Sequence, residues 1–231
     1  MLEVSNFVKN IIDNIYIPNN FGINLDEDWS DHFDDFVGDI ERTYADVSVH
    51  HGVSKAVLVS DKENVVVKIP FNGYFEYTED ESEDDNESYG YFIEFEEANN
   101  SKNGWDYCQT ELEAYQTAQQ YKLEKFFAEV EKTKNGCYIQ EKCVCYAERK
   151  NTNTNENSLK TAKKLYDSYC YRFATSFIAD CIDYYGEAET DKFLAYVDEF
   201  CLNEDMHNSN YGYAVSDGRP VLIDYSGWME E

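Results

Sequence analysis

From residue 46 onward the apolar residues change period, and that change restricts the fold more than any other feature of the chain. Val47 to His50, Ala56 to Val59 and Val65 to Ile69 are short apolar or alternating runs. Asp61-Lys62-Glu63-Asn64 separates the last two as a hairpin turn would. Phe127 to Thr133 and Cys137 to Cys143 flank Lys134-Asn135-Gly136, a second hairpin signal. Between the two hairpins, Tyr107, Glu111, Tyr115 and Ala118 fall on one face of a helix over 106–121. After the polar run 151–157 the spacing turns helical. Leu159, Ala162, Tyr166, Tyr169, Phe173, Phe177 and Cys181 follow a Ser158 cap, with Gly186 to end that helix or helix pair. Phe193, Leu194, Val197, Phe200 and Cys201 mark a further helix after Thr190. A closing hairpin, Tyr211 to Val215 and Pro220 to Ile223, turns at Ser216-Asp217-Gly218. Antiparallel strands followed by helices predict an α+β fold.

Two amphipathic helices are expected before the first strand. Val4, Phe7, Val8, Ile11, Ile12 and Ile15 carry one, and Phe33, Phe36, Val37 and Ile40, after a Ser30 cap, carry the other. The expected division is a helical extension over 1–45, a β-rich lobe over 46–145 and a helical lobe over 146–231. An acidic insertion near 76–100 interrupts the β-rich lobe. There Glu76, Glu79, Asp80, Glu81, Glu83, Asp84, Asp85 and Glu87 crowd together, and no Lys or Arg occurs from Ile69 through Ser101. Self-repulsion and low apolar content predict a solvated loop around 78–88. Tyr91, Ile93 and Phe95 predict an extra strand after it.

With 47 acidic against 19 basic residues the formal net charge is −28. Long-range repulsion of that size opposes direct binding to nucleic acid or to an anionic membrane, while an anionic surface can attract a basic protein partner or imitate a nucleic acid. Seven cysteines, an odd number, and an N-terminus without a signal-peptide h-region predict reduced thiols in a reducing cytoplasm. Cys143 and Cys145 lack a second pair or a nearby histidine for a zinc site. No apolar run reaches the ~20 residues a spanning helix needs. Lys142, Arg149, Lys150, Lys160, Lys163 and Lys164 form the one notable basic cluster, which reads as a solvated face or, alternatively, as a receiver for an acidic substrate.

Asp205-Met206-His207-Asn208-Ser209-Asn210 is followed by the apolar run Val221-Leu222-Ile223 and then Asp224. A carboxylate, an amide oxygen five residues later and a second carboxylate at a strand end are the hard oxygen groups that phosphoryl transfer uses for a base and for Mg²⁺. Lys68, in Val65-Val66-Val67-Lys68-Ile69, is a lone cation in an apolar strand. Glu111 shares the apolar face of its helix with Tyr107, Tyr115 and Ala118, whereas Glu113 points about 200° away.

On these residues the chain from about residue 46 resembles the protein-kinase-like superfamily. The short Asp-x-His-x-x-Asn form is similar to the aminoglycoside phosphotransferase and atypical kinase branches and to short kinase-like proteins encoded by bacteriophages. The resemblance implies a bilobal fold with a truncated helical C-lobe and Mg²⁺-ATP-dependent transfer to a hydroxyl of a protein or small molecule. A phage origin would place it in the host cytoplasm. It implies Asp205 as catalytic base, Asn210 and Asp224 as Mg²⁺ ligands, and Lys68 with Glu111 as the ion pair anchoring the phosphates. Gly52 and Ser54 would lie at the phosphates, and Glu141 and Cys143 would present backbone groups to adenine. Two alternatives remain beside this implication: transfer of AMP, and a non-catalytic acidic binder that sequesters a basic host protein.

Four departures accompany the resemblance. His50-His51-Gly52-Val53-Ser54-Lys55 holds a single glycine, and Asn203-Glu204 stand where His-Arg precedes the aspartate. Tyr225-Ser226 replaces Phe-Gly, and only seven residues follow Asp224. The expected protein therefore lacks an activation segment and the part that grips a peptide.

Overall fold

The computed structural model describes residues 2–24, 31–79, 88–94, 107–148, 155–169, 173–201 and 206–225. The fold is α+β, and the chain divides into two compact units. One comprises Glu3–Cys108 with Lys132–Ile139. The other comprises Gln109–Glu131 and Gln140–Glu231, with Met1–Leu2. Compared with the expected boundary at 145/146, the C-terminal unit also takes in most of the 107–120 helix and the strand ends that follow it.

The N-terminal unit opens with α1 (Asn6–Asn14). Ser5 is its N-cap: the Ser5 Oγ accepts the Val8 amide at 3.2 Å and donates to Glu63 Oε1 at 2.9 Å. Val8, Ile11 and Ile12 turn into the core, as their spacing requires. Helix α2 (Asp31–Thr43) buries Phe33, Phe36 and Ile40, and Phe21, Phe33, Phe36 and Phe71 form a cluster of edge-to-face and tilted rings with centroids 4.7–6.4 Å apart. The expected Ser30 cap lies outside the described residues.

Strands β2 (Val47–His51), β3 (Lys55–Ser60) and β4 (Val65–Pro70) form the expected antiparallel meander. They belong to a sheet of order β2-β3-β4-β8-β7, where β7 is Val130–Lys132 and β8 is Tyr138–Glu141. Gly136, at φ +83°, closes the β7–β8 turn in the left-handed conformation that glycine adopts without penalty.

A second sheet was only partly legible from sequence. β1 (Gly22–Asn24) pairs in parallel with β5 (Gly73–Glu79), which pairs antiparallel with β6 (Ser88–Glu94). The extra strand is present as β6, with Phe95 outside the described residues, and Thr78, Glu79 and Ser88 of the predicted loop are instead paired strand residues, Glu79 opposing Ser88. Residues 80–87, most of the predicted loop, lie outside the described residues.

In the C-terminal unit, α3 (Tyr107–Gln120) buries Glu111, Ala114, Tyr115 and Ala118 and exposes Glu113. The long helical pattern after residue 158 resolves into α4 (Glu156–Tyr169) and α5 (Thr175–Tyr185). Ser158 is not the cap of α4. It is buried within the helix and its hydroxyl donates to Asp183 of α5, while Asn155 takes the capping role by accepting the Asn157 amide at 3.0 Å. Gly186, at φ +91°, separates α5 from α6 (Glu187–Phe200), so α6 starts a turn earlier than Thr190 suggested. Phe126 stacks on Phe193 at 4.4 Å and 2°. A small antiparallel sheet, β9 (Cys143–Cys145), β10 (Tyr211–Ala214) and β11 (Pro220–Leu222), completes the unit. No helix among the described residues is long and apolar enough to cross a membrane.

Candidate functional site

The β9–β10–β11 sheet brings Asn210 and Asp224 together. Asn210 immediately precedes β10 and Asp224 follows β11, so an antiparallel hairpin returns one to the other. The Asn210 carbonyl accepts the Ile223 amide at 2.8 Å and the Asp224 amide at 3.2 Å. Asn210 is buried and Asp224 half-buried.

Each side of this junction is anchored. The Gln140 side-chain amide donates to the Ile223 carbonyl at 2.9 Å. Tyr225, fully buried, donates its hydroxyl to the Ala128 carbonyl at 2.8 Å and meets the Phe127 ring edge-to-face at 5.1 Å. Burial pushes the Tyr225 hydroxyl well above its ordinary pKa, and the nearby Glu111 charge adds to the effect, so it is a fixed donor. On the other side, Tyr211 accepts the Ala174 amide at 3.0 Å and donates to Asn208. The Ala147 amide donates to the Asn208 carbonyl at 3.2 Å. His207 accepts the Ser209 amide on Nδ1 at 3.3 Å, which braces the 206–210 segment locally.

Cys145 reports the charge at the junction. Burial raises its thiol pKa first, and the carboxylates of Glu148 and Asp224 raise it further. Its Sγ donates to the Ser209 carbonyl at 3.4 Å. The six cysteines described are free thiols; Cys170 lies outside the described residues.

Glu141 has a side-chain partner that the sequence did not point to. Arg219 reaches it with Nη1 on Oε1 at 2.8 Å and Nη2 on Oε2, and Ser216 Oγ donates to Oε1 at 2.9 Å. Burial disfavours the Arg219 cation, but hydrogen bonds and charge from Glu141, with Asp217 behind, hold its pKa above the usual range. The Glu141 amide donates to the Glu129 carbonyl at 2.9 Å, and its carbonyl accepts the Cys143 thiol at 3.5 Å. The one sequence signal was a lone arginine, Arg219, in the polar turn Ser216-Asp217-Gly218-Arg219.

The remaining expected residues divide between the units. Glu111 is fully buried on α3 in the C-terminal unit, with Tyr225 close enough to feel its charge. Lys68 is buried on β4 in the N-terminal unit. Gly52 donates its amide to the Lys55 carbonyl at 3.1 Å, and the Ser54 carbonyl accepts the Phe71 amide at 2.8 Å, so both shape the β2–β3 turn. Lys55, unremarked in the sequence, is buried as well. Asp205 lies outside the described residues. Among those described, no group of three His, Cys, Asp or Glu side chains is placed to hold a metal.

No protein-family model and no curated protein matches the chain.

Proposed function

We propose that the chain is a kinase-like phosphotransferase that uses Mg²⁺-ATP and a hydroxyl acceptor. The observation that carries this reading is the apposition of Asn210 and Asp224, held through the Asn210 carbonyl and braced by Gln140 and Tyr225. An amide oxygen and a carboxylate are hard donors that suit Mg²⁺, which completes its shell with water and phosphate. Bound there, Mg²⁺ would neutralise charge on the transferring phosphoryl group. Asn210 and Asp224 would orient it, and Asp205, five residues before Asn210, would accept the acceptor's proton. Lys68 is the cation this reading assigns to the phosphates. In chain order the β5–β6 hairpin and α3 lie between β4 and β7 of the sheet β2-β3-β4-β8-β7, an order that supports the kinase-like reading.

The test is a thermal-shift titration with Mg²⁺-ATP. Binding to the folded state alone raises stability by about 2.7 kcal/mol at ~100 times Kd. Asp224→Ala removes most of that shift, whereas Asp205→Asn keeps it and lowers γ-phosphate transfer by roughly 10² to 10⁴. A wild-type protein with no metal-dependent shift at millimolar nucleotide overturns the reading.

A second reading, an acidic cytoplasmic binder of a basic protein, rests on the net charge of −28 and on a cavity of about 500 Å³. Tyr16, Phe36, Ile40 and Tyr44 supply apolar surface there, with Asp35 and Asp39 among the lining residues. Salt-sensitive capture of a basic protein by the Asp224→Ala variant would favour it.

A further inference from the structure

Two buried lysines share one face of the β2–β3–β4 meander. Val57 stands directly opposite Lys68, and Lys55 opposite Pro70. Residues paired across strands point to the same side, as do residues two apart along a strand. Lys55, Val57, Lys68 and Pro70 therefore share a face, and Lys55 is the diagonal neighbour of Lys68, about 7 Å away between backbones. His50 extends the row, since it pairs with Val57.

That face is not the core face. Ala56, Leu58, Val67 and Ile69 are buried on the other side, whereas Val57, Val59, Val66 and Pro70 are only half-buried on this one. A half-covered apolar face is no reason to sink an ammonium group, and Lys55 and Lys68 are still 5% and 3% exposed. Burying two like charges on diagonal neighbours of one sheet face is unfavourable unless anions answer both. Each lysine is engaged within the fold, yet two cations on one partly open face, in a chain of net charge −28, concentrate positive potential locally.

We propose that Lys55 and Lys68 together form a polyphosphate-binding pair, with Lys55 gripping the phosphate chain from the β2–β3 turn. This deepens the phosphotransferase reading by adding a second phosphate cation. It concerns a site whose chemistry does not depend on transfer. Lys55 follows Gly52-Val53-Ser54, a turn with one glycine whose amide already donates to the Lys55 carbonyl, so a side-chain cation adds what that backbone amide does not offer a phosphate.

The experiment is calorimetric titration of the full chain with inorganic tripolyphosphate, ATP and AMP, each without metal. Wild type binds tripolyphosphate and ATP more tightly than AMP. Lys55→Met weakens the first two by about tenfold, the scale of one lost charge-assisted phosphate contact, and leaves AMP within about twofold. Lys55→Arg keeps most of the affinity. Lys62→Met, which removes an exposed lysine paired with Asp46 in the next turn, changes nothing beyond about twofold. Methionine suits a buried site, and an unchanged melting profile verifies the fold of each variant.

Absence of tripolyphosphate binding by wild type overturns the inference, as does equal weakening by Lys55→Met and Lys62→Met. ATP binding that depends on Lys55 without tripolyphosphate binding overturns it too, because the recognition would then belong to the nucleoside. Lys55-dependent tripolyphosphate binding without any Mg²⁺-ATP thermal shift would sink the phosphotransferase reading and leave this one standing.

Discussion

Two hairpins, one in each unit, show how differently a β-turn-β element can be used. In β10–β11 every strand residue is buried. The turn is closed by Ala214 N to Arg219 O and Gly218 N to Ala214 O, both 2.9 Å, with Gly218 at φ +76°. Its two open ends carry Asn210 and Asp224. The β5–β6 hairpin is longer, in register from Gly73↔Glu94 to Glu79↔Ser88, yet Glu76 and Tyr91 pair at 3.1 Å on an exposed face and its far end leads into the acidic run. Burial on both faces leaves a hairpin no alternative register, so residues at its ends are held to hydrogen-bonding accuracy. A hairpin with one wet face keeps its register through the buried face and can carry charge on the other, which suits a carrier of carboxylates.

The largest expected effect breaks the buried hairpin at its turn. Arg219→Met leaves the Glu141 carboxylate, whose side chain is 8% exposed, without its main counter-charge, and should cost about 3–5 kcal/mol in urea unfolding. Adding Glu141→Leu should recover much of that loss, because two apolar groups remove the unpaired charge. Failure of the double variant to recover would mean the pair positions the turn rather than merely neutralising itself.

Overpacking tests both hairpins on equal terms. A Cβ at Gly212 would run into the Val144 carbonyl and come within 2.9 Å of the Cys145 Cα, while one at Gly73 would strike the Ile93 carbonyl and the Phe92 ring. Each alanine variant should lose about 1–3 kcal/mol. Only Gly212→Ala should also weaken the Mg²⁺-ATP thermal shift, because only β10 sets the Asn210–Asp224 junction. Equal loss of nucleotide response in both variants would erase the functional contrast between the hairpins.

Replacing residues 80–87 by Asn-Gly sharpens the contrast from the other side. Glu79 and Ser88 already face one another, and a two-residue turn joins such a pair directly. Urea unfolding should show a change of less than about 0.5 kcal/mol, because the β5–β6 register is already complete at Glu79 and Ser88.

The smallest effect concerns pH. Glu189 is held down at a pKa of about 2 by hydrogen bonds from Lys125 at 2.8 Å and Lys192 at 2.7 Å. A depressed carboxylate pKa contributes stability above the unfolded pKa and loses it as pH falls through the folded one. The difference between wild type and Glu189→Gln should therefore be full at neutral pH and shrink between pH ~4.5 and ~2. Glu189 and Lys125 are half-buried and Lys192 is exposed, so solvent screens the cluster, the difference is small and salt should reduce it.

Local chemistry was legible in the residue order. The strands from 47 to 69, the helix over 107–120, the Asn135-Gly136 turn and the choice of Glu111 over Glu113 followed from periods of two and 3.6 and from glycine's freedom at positive φ. These depend on neighbours within a turn or a pleat, and such neighbours are adjacent in sequence. Less legible were the break between α4 and α5, the buried hydroxyl of Ser158 and the parallel strand β1. Each is decided by a partner far along the chain.

What the sequence determined by itself was the α+β alternation, the acidic charge and the presence of oxygen groups at 205, 210 and 224. Only the tertiary structure decided that Asn210 and Asp224 meet at one hydrogen-bonded junction and that Glu141 is answered by Arg219. It alone set Lys55 and Lys68 on one face. The reason is physical: intrinsic preferences act over a few bonds, whereas these pairings arise from strand register and burial, whose energies exist only after distant segments have closed on one another.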